Sequence, residues 1–310
     1  MAGRSLEEFG RSALKEMPPR AEEGRFMGAG QSPDNWGGSG ERAAGIRRKI
    51  LLLLLLVVFF PGGGEAAEPP ESLEFDITWA GIRVGRSSIE SVSSEKGLEI
   101  VSRVDSAAWT LPFYVVEDRE RSTLERDGSR YVPVAYGLAL HEGKNRVRRE
   151  ALVDRRAGLV RLLNPETGEQ SEYPLAGPVW DPVSCLYHLR HRPLEVGQEF
   201  ALTLLDKDSP NRVRVKVLRR EKVKTAAGIV DTLVVRSDMA IDSEGLFYAR
   251  GSLTMWLSED GGRVPVLIEK RIPGLFNNGM PGFLKKVLPD ALQKSLENLE
   301  VIRAELVHRG

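Results

Sequence analysis

The sequence predicts a mainly β protein, built as a curved antiparallel sheet or half-open β-barrel with one or two short helices. Three observations predict it. From about residue 70 onward, apolar and polar residues alternate with period two, the mark of half-buried strands. Turn signals interrupt that alternation about every 8–12 residues, the spacing of a meandering all-β fold. Near the middle, Asp181-Pro182 breaks the rhythm once with the start signal of a helix.

The first strand is read from Leu73, Phe75, Ile77 and Trp79, alternating with Glu74, Asp76 and Thr78. Gly81 ends it, and Ile82 to Val92 returns, with Gly85 inside as a candidate bulge. Ser94-Glu95-Lys96-Gly97 is a turn, after which Leu98, Ile100 and Ser102 resume the alternation. Ala107 to Phe113 is apolar without alternation and carries Pro112, so it is read as an irregular crossing or one helical turn. Strands then follow over 115–124, 131–141, 147–154 and 159–163, with turns at Arg126-Asp127-Gly128, Glu142-Gly143-Lys144-Asn145 and Arg156-Ala157-Gly158. Asp181 at an N-cap, Pro182 behind it, and Val183, Leu186, Tyr187 and Leu189 on one side make a short amphipathic helix suited to the concave face of the sheet. The β pattern returns over 199–205, 213–220, 229–237, 246–257 and 264–271. A breaker-rich but apolar insert over 273–296 includes a helix from Pro289 to Leu296, and a last strand follows around 301–307.

Ahead of this domain stands a different pattern. Arg47-Arg48-Lys49, eleven apolar residues from Ile50 to Phe60, and then Pro61-Gly62-Gly63-Gly64-Glu65-Ala66-Ala67 follow the order of a secretory signal peptide. The apolar run is short against the roughly 20 residues that span a bilayer as a helix. We therefore expect export to the periplasm of a bacterial cell envelope, with cleavage near Ala66; an inner-membrane signal-anchor is the alternative. Residues 1–46, polar and without periodicity, are read as a disordered or mis-annotated N-terminal extension, 47–66 as the signal peptide and 67–310 as one β domain.

Composition narrows the partners. Lys plus Arg total 44 and Asp plus Glu total 44, so there is no basic surplus to hold phosphate backbones and no nucleic acid is expected. One cysteine excludes an internal disulfide. An amphiphile, a glycan or an envelope protein suits a neutral exported domain; no cofactor is called for.

Several separated motifs carry a family resemblance. Asp181-Pro182-Val183-Ser184 with Tyr187 and Leu189-Arg190, then Leu194-Glu195-Val196-Gly197, then Leu253 to Asp260 and Arg263-Val264-Pro265-Val266, fall in order. Phe75 to Ile82 with Gly85 supplies the opening strand pair. Over roughly residues 73 to 271 the chain resembles the bacterial exported family catalogued as domain of unknown function 3108. The resemblance implies an exported, mostly antiparallel β protein and implies no reaction. Cys185 and the insert from Pro273 to Leu292 fall outside its pattern.

The candidate site residues come from these motifs: Asp181, Ser184, Tyr187, Arg190, Trp256, Asp260 and Arg263 as ligand-binding candidates. Leu275, Phe276, Phe283 and Leu284 are candidates for a lid or a peripheral membrane contact, because so many large apolar groups suit poorly a loop meant only for water. Ser184, Cys185 and His188 crowd together as a hydrolase's residues would, but Asp181 is better used as a cap, and we expect no catalytic residue there. Cys185, His188 and His191 are spaced by three, which drifts around a helix and leaves a fourth ligand unsupplied, so no metal is expected. Trp256 to Pro265 reads as a hairpin, with Asp260 capping its turn, Gly261 and Gly262 at positive φ, and Arg263 pairing with Asp260 or Glu259. Arg146 to Glu150 reads as a solvated strand face or charged edge. The function read from all this is a non-enzymatic binding or envelope-assembly protein with a cupped groove. The alternatives are a hydrolase of an envelope substrate acting near Asp181, and a structural interaction module offering a strand edge.

Overall fold

The computed structural model describes residues 69–95, 97–205, 209–225, 228–239, 251–273 and 300–310, all within one compact unit. The N-terminal extension, the signal segment, the apolar insert with its helix, and the proposed contact residues Leu275, Phe276, Phe283 and Leu284 lie outside the described residues.

Among the described residues, fifteen strands form one sheet. They are β1 (Glu71–Trp79), β2 (Ile82–Ser94), β3 (Gly97–Ser106), β4 (Glu117–Asp127), β5 (Arg130–Glu142), β6 (Asn145–Asp154), β7 (Leu159–Leu163), β8 (Gln170–Pro174), β9 (Val179–Trp180), β10 (Glu199–Leu205), β11 (Pro210–Thr225), β12 (Gly228–Met239), β13 (Gly251–Ser258), β14 (Pro265–Arg271) and β15 (Val301–Arg309). One helix, α1 (Pro182–His191), sits between β9 and β10. Two antiparallel meanders, β1 to β8 and β10 to β15, are joined where β15 pairs with β1. The exception to antiparallel pairing is β9, which runs parallel to β10. The sheet is open, with β8 and β9 as its edges, and it curls until Val179 of β9 joins the apolar cluster that holds Tyr136 and Leu138 of β5.

Alternation puts one face of each strand inside the curl. Leu73, Phe75, Ile77 and Trp79 of β1 pack there with Ile302 of β15 and Val264. Gly85 does sit at an irregularity: the β1–β2 register shifts so that Val84 is extra. A Cβ on Gly85 would lie 2.6 Å from the Asp105 carbonyl oxygen, so β3 approaches too closely for a side chain. The segment 107–113 is a set of turns, closed by hydrogen bonds from Phe113 and Tyr114 to the Thr110 carbonyl.

Two strands escape the sequence reading, β8 and β9. The first is a short exposed edge rich in polar residues, and the second is two residues long. The expectation of a solvated face or edge at 146–150 is corrected in part. β6 lies between β5 and β7, and Glu150 is buried opposite Gly137 and Leu163.

Because neighbouring strands are antiparallel, the sheet has two ends. The lower end holds the start of β1, the end of β15, the β4–β5 turn and the β13–β14 turn. The upper end holds the β1–β2 turn, the 107–116 crossing and the β5–β6 turn, together with the ends of β12 and β14.

Candidate functional site

The middle of the chain builds the floor of a cavity. Asp181 starts α1 with a full capping box: its Oδ1 accepts from the Val183 amide at 3.1 Å and the Ser184 amide at 2.9 Å, while Ser184 Oγ accepts from the Asp181 amide at 3.1 Å. The other carboxylate oxygen accepts from the hydroxyls of Ser184 at 2.7 Å and Ser122 at 2.6 Å. Ser122 lies on the inner face of β4, so the cap also pins α1 to the sheet. Burial raises the Asp181 carboxyl, and the hydroxyls and amides around it pull the other way.

The far end of the helix is tied to the lower end of the sheet. Arg190 donates to both carboxylate oxygens of Glu71, at 2.7 and 2.9 Å, and to the Gly262 carbonyl at 3.1 Å. Arg309 also reaches Glu71 at 3.2 Å. Burial alone would raise the Glu71 carboxyl; Arg190 first, and then Arg309, hold it below its ordinary value. Arg263 donates to the Arg192 carbonyl, joining the β13–β14 turn to the end of α1.

Above this floor, between α1 and the upper half of the sheet, is an apolar cavity of about 200 Å³. Phe75, Ile77, Leu202, Val213, Leu253 and Met255 face it from the strands, and Val183, Cys185 and Leu186 face it from the helix. Its polar wall is the inner face of β4 with the neighbouring strands: Asp118 and Glu120, flanked by Ser87, Ser102 and, across the opening, Ser237.

That wall carries unusual electrostatics. Asp118 is 3% exposed, and its carboxyl is pushed up to about 8 by burial and then by the charge of Glu142, although the His141 amide donates to its Oδ1 at 3.1 Å. Near neutral pH this group keeps a proton to donate, while Glu120 accepts from the Tyr136 hydroxyl at 2.7 Å. The same burial and the same two acids raise the Tyr114 phenol to about 12. On β14, Lys270 is almost fully buried and its ammonium is lowered to about 8 by burial. The sequence reading missed all of these. The signal was present in β4, where Asp118, Glu120 and Ser122 occupy one face and Arg119 and Arg121 the other. A strand charged on both faces cannot be half-buried in the ordinary way, so one face had to meet partners inside.

The candidates named from sequence separate into three places. Asp181 and Ser184 are structural cap groups. The Ser184 proton is spent on Asp181, and His188, lowered to about 4 by burial, stacks on Trp180 at 4.1 Å, so the two do not form a nucleophile–base pair. Burial and the Asp181 charge push the Cys185 thiol up to about 12, which disfavours the thiolate a nucleophile needs. His191 stacks on Tyr187 at 4.0 Å and bonds its carbonyl, which turns Cys185, His188 and His191 toward different neighbours. Tyr187 also meets Tyr131 edge-on, with Leu98 and Leu124 beside it, and Arg190 is the tether to Glu71.

Trp256 is misplaced by the sequence reading. It packs on the other face of β13 with Val234 and Val266, while its neighbour Met255 faces the cavity. At the β13–β14 turn Asp260 is the cap, as expected, taking hydrogen bonds from Ser258 and from the Gly262 and Arg263 amides. The positive φ falls on Arg263, at 42°, and not on Gly261 or Gly262. Its guanidinium bonds the Arg192 carbonyl; Arg309 pairs with Asp260 and Arg220 with Glu259.

An open, curled antiparallel sheet whose interior is part apolar cavity and part capped helix defines a β-barrel-like protein. The chain belongs to the family described as Protein of unknown function (DUF3108), whose model matches residues 74–274. It is also similar to a β-barrel-like protein of the domain of unknown function DUF1849 from Brucella abortus, at 13% identity and a TM-score of 0.48, over 77% of this chain and 96% of that one. No curated protein matches.

Proposed function

We propose that this is an exported, periplasmic, non-enzymatic binding or envelope-assembly protein that takes the apolar part of an amphiphile between its sheet and α1. The observation that carries the reading is the apolar cavity of about 200 Å³ above the helix. It exceeds the engineered void of about 150 Å³ that takes up benzene. Its apolar walls favour hydrocarbon, while Asp118 and Glu120 offer a hydrogen-bonding end that fixes orientation. Export is supported by the signal pattern over 47–66.

The experiment is native mass spectrometry of protein purified from its host membranes, beside binding of a fluorescent fatty acid to the delipidated protein. A retained amphiphile, and probe uptake lost in Leu253→Trp at unchanged melting temperature, support the reading. Full uptake by the blocked variant refutes it.

A further inference from the structure

Among the described residues, large apolar side chains that stand in solvent are mostly scattered singly. The exception is at the upper end. Ile82 at the start of β2, just after the β1–β2 turn, is 44% exposed, and in the 107–116 crossing Trp109 is 42%, Leu111 46% and Phe113 51% exposed. Trp109 and Phe113 are the two aromatics among the exposed large hydrophobics of the described residues. The four belong to one place. The Trp109 indole N–H donates to the Arg83 carbonyl at 2.9 Å, beside Ile82, and the Ala107 amide donates to the Val84 carbonyl at 2.8 Å. The tight turns about Thr110 hold Leu111 and Phe113 outward on a fixed backbone.

The charges around this patch are one-sided. The Gly143 amide donates to the Val115 carbonyl at 2.7 Å, which sets the β5–β6 turn against the crossing. That turn carries Lys144 and Arg146, both exposed and with no ion pair to a described residue; Arg146 folds onto the Gly143 carbonyl at 3.1 Å. Of the acids nearby, Asp76 pairs with Arg83 and Arg86 and Asp105 with Arg119, Glu142 at the start of the turn is buried against Asp118, and Glu117 bonds the His141 ring at 3.0 Å. The free charge beside the apolar patch is therefore positive.

The cavity reaches the same end. Ile77, Val104, Asp118 and Leu253 all face it from within two residues of the upper termini of their strands, while α1 fills the lower half. A rigid group of Trp, Phe and aliphatic side chains with adjacent unpaired cations has the composition that lies in the interface of an anionic bilayer. We propose that Ile82, Trp109, Leu111 and Phe113, with Lys144 and Arg146, dock the upper end of the sheet onto an anionic lipid surface and bring the cavity to the membrane. This deepens the carrier reading and rests on it for its purpose, though not for its geometry.

The test uses the full chain with Cys185→Ala and one environment-sensitive fluorophore attached through Leu111→Cys, or, as the distant control, through Ile229→Cys at the start of β12 at the lower end. Vesicles of phosphatidylethanolamine and phosphatidylglycerol are compared with phosphatidylcholine alone. Docking predicts a blue shift at position 111 and none at 229, strongest on the anionic vesicles. Lys144→Gln and Arg146→Gln each weaken the partitioning about fivefold. No shift at 111, or equal shifts at both positions, overturns the proposal. Fatty-acid uptake measured in solution separates the two readings. Uptake without a shift at 111 refutes docking alone, and a shift without uptake refutes the carrier reading alone.

Discussion

The Ser122 hydroxyl donates to Asp181 Oδ2 at 2.6 Å, so the residue that starts α1 is also the one that fastens it to β4, 59 positions earlier in the chain. One carboxylate satisfies the helix terminus with one oxygen and the sheet with the other, in a place closed to water. Both tasks fail together if it is removed.

Asp181→Ala should therefore cost more than an ordinary cap, about 2–3 kcal/mol, because two buried hydroxyls lose their acceptor as well. Ser122→Ala should cost about 1 kcal/mol. A double-mutant cycle by urea denaturation should show strong coupling between the two; additive losses would mean that the bond carries little.

Arg190→Met should destabilise by about 2–3 kcal/mol, less than for a fully buried pair because Arg309 remains beside Glu71. It should also change the acid limb. Glu71 is held below its ordinary 4.5, so its stabilisation is complete above that pH and is lost as pH falls through the lower native value. Acid titration of the two proteins should show the wild-type transition at lower pH than that of the variant.

Asp118 works in the opposite sense. The folded state keeps its proton up to about 8, whereas the unfolded chain releases it near 3.8, so folding binds a proton across that window and stability falls as pH rises. Asp118→Asn keeps an oxygen for the His141 amide and has no proton to lose. Between pH 5 and 8, on the order of that window, its melting temperature should be flatter than that of the wild type. A wild-type profile already flat there would contradict the assignment.

Cys185 should resist alkylation in the folded protein. Raising a thiol from 9.0 to about 12 cuts its thiolate fraction about a thousandfold, so labelling by iodoacetamide should follow unfolding. Labelling of the native protein at the rate of a free thiol would show that the cavity admits water to the sulfur.

Much of the fold was legible because alternation reports burial directly. The strands at 159–163 and 199–205 match the structure residue for residue, and the helix starts where it was expected, with Asp181 as its cap and Pro182 first, because Asp and Pro have specific roles at a helix start. β8 was not legible because an exposed edge strand needs no apolar face, as Gln170-Ser171-Glu172 shows. The acid wall was legible only in part, because a strand charged on both faces tells that one face turns inward but not which. Asp118 and Glu120 look like solvent-facing residues until the curl of the sheet places them inside, and curl depends on contacts between distant strands. The conformation of Arg263 was equally hidden, because arginine has no intrinsic preference for positive φ and is held there by the turn and by Arg192.

Where β9 meets β5, the curled sheet is closed by side chains and not by a ladder. A barrel sealed by hydrogen bonds has its bore fixed by strand number and stagger, and it widens only in steps of whole residues. Here the closure is the apolar cluster that Val179 shares with Tyr136 and Leu138 of β5, and among the described residues no β9–β5 ladder accompanies it. Widening the curl at this seam costs apolar contact and no ladder hydrogen bond. On the proposed carrier reading, guests of different girth would be accommodated at a cost graded by the apolar area uncovered along that seam, with the backbone pairing of every strand intact.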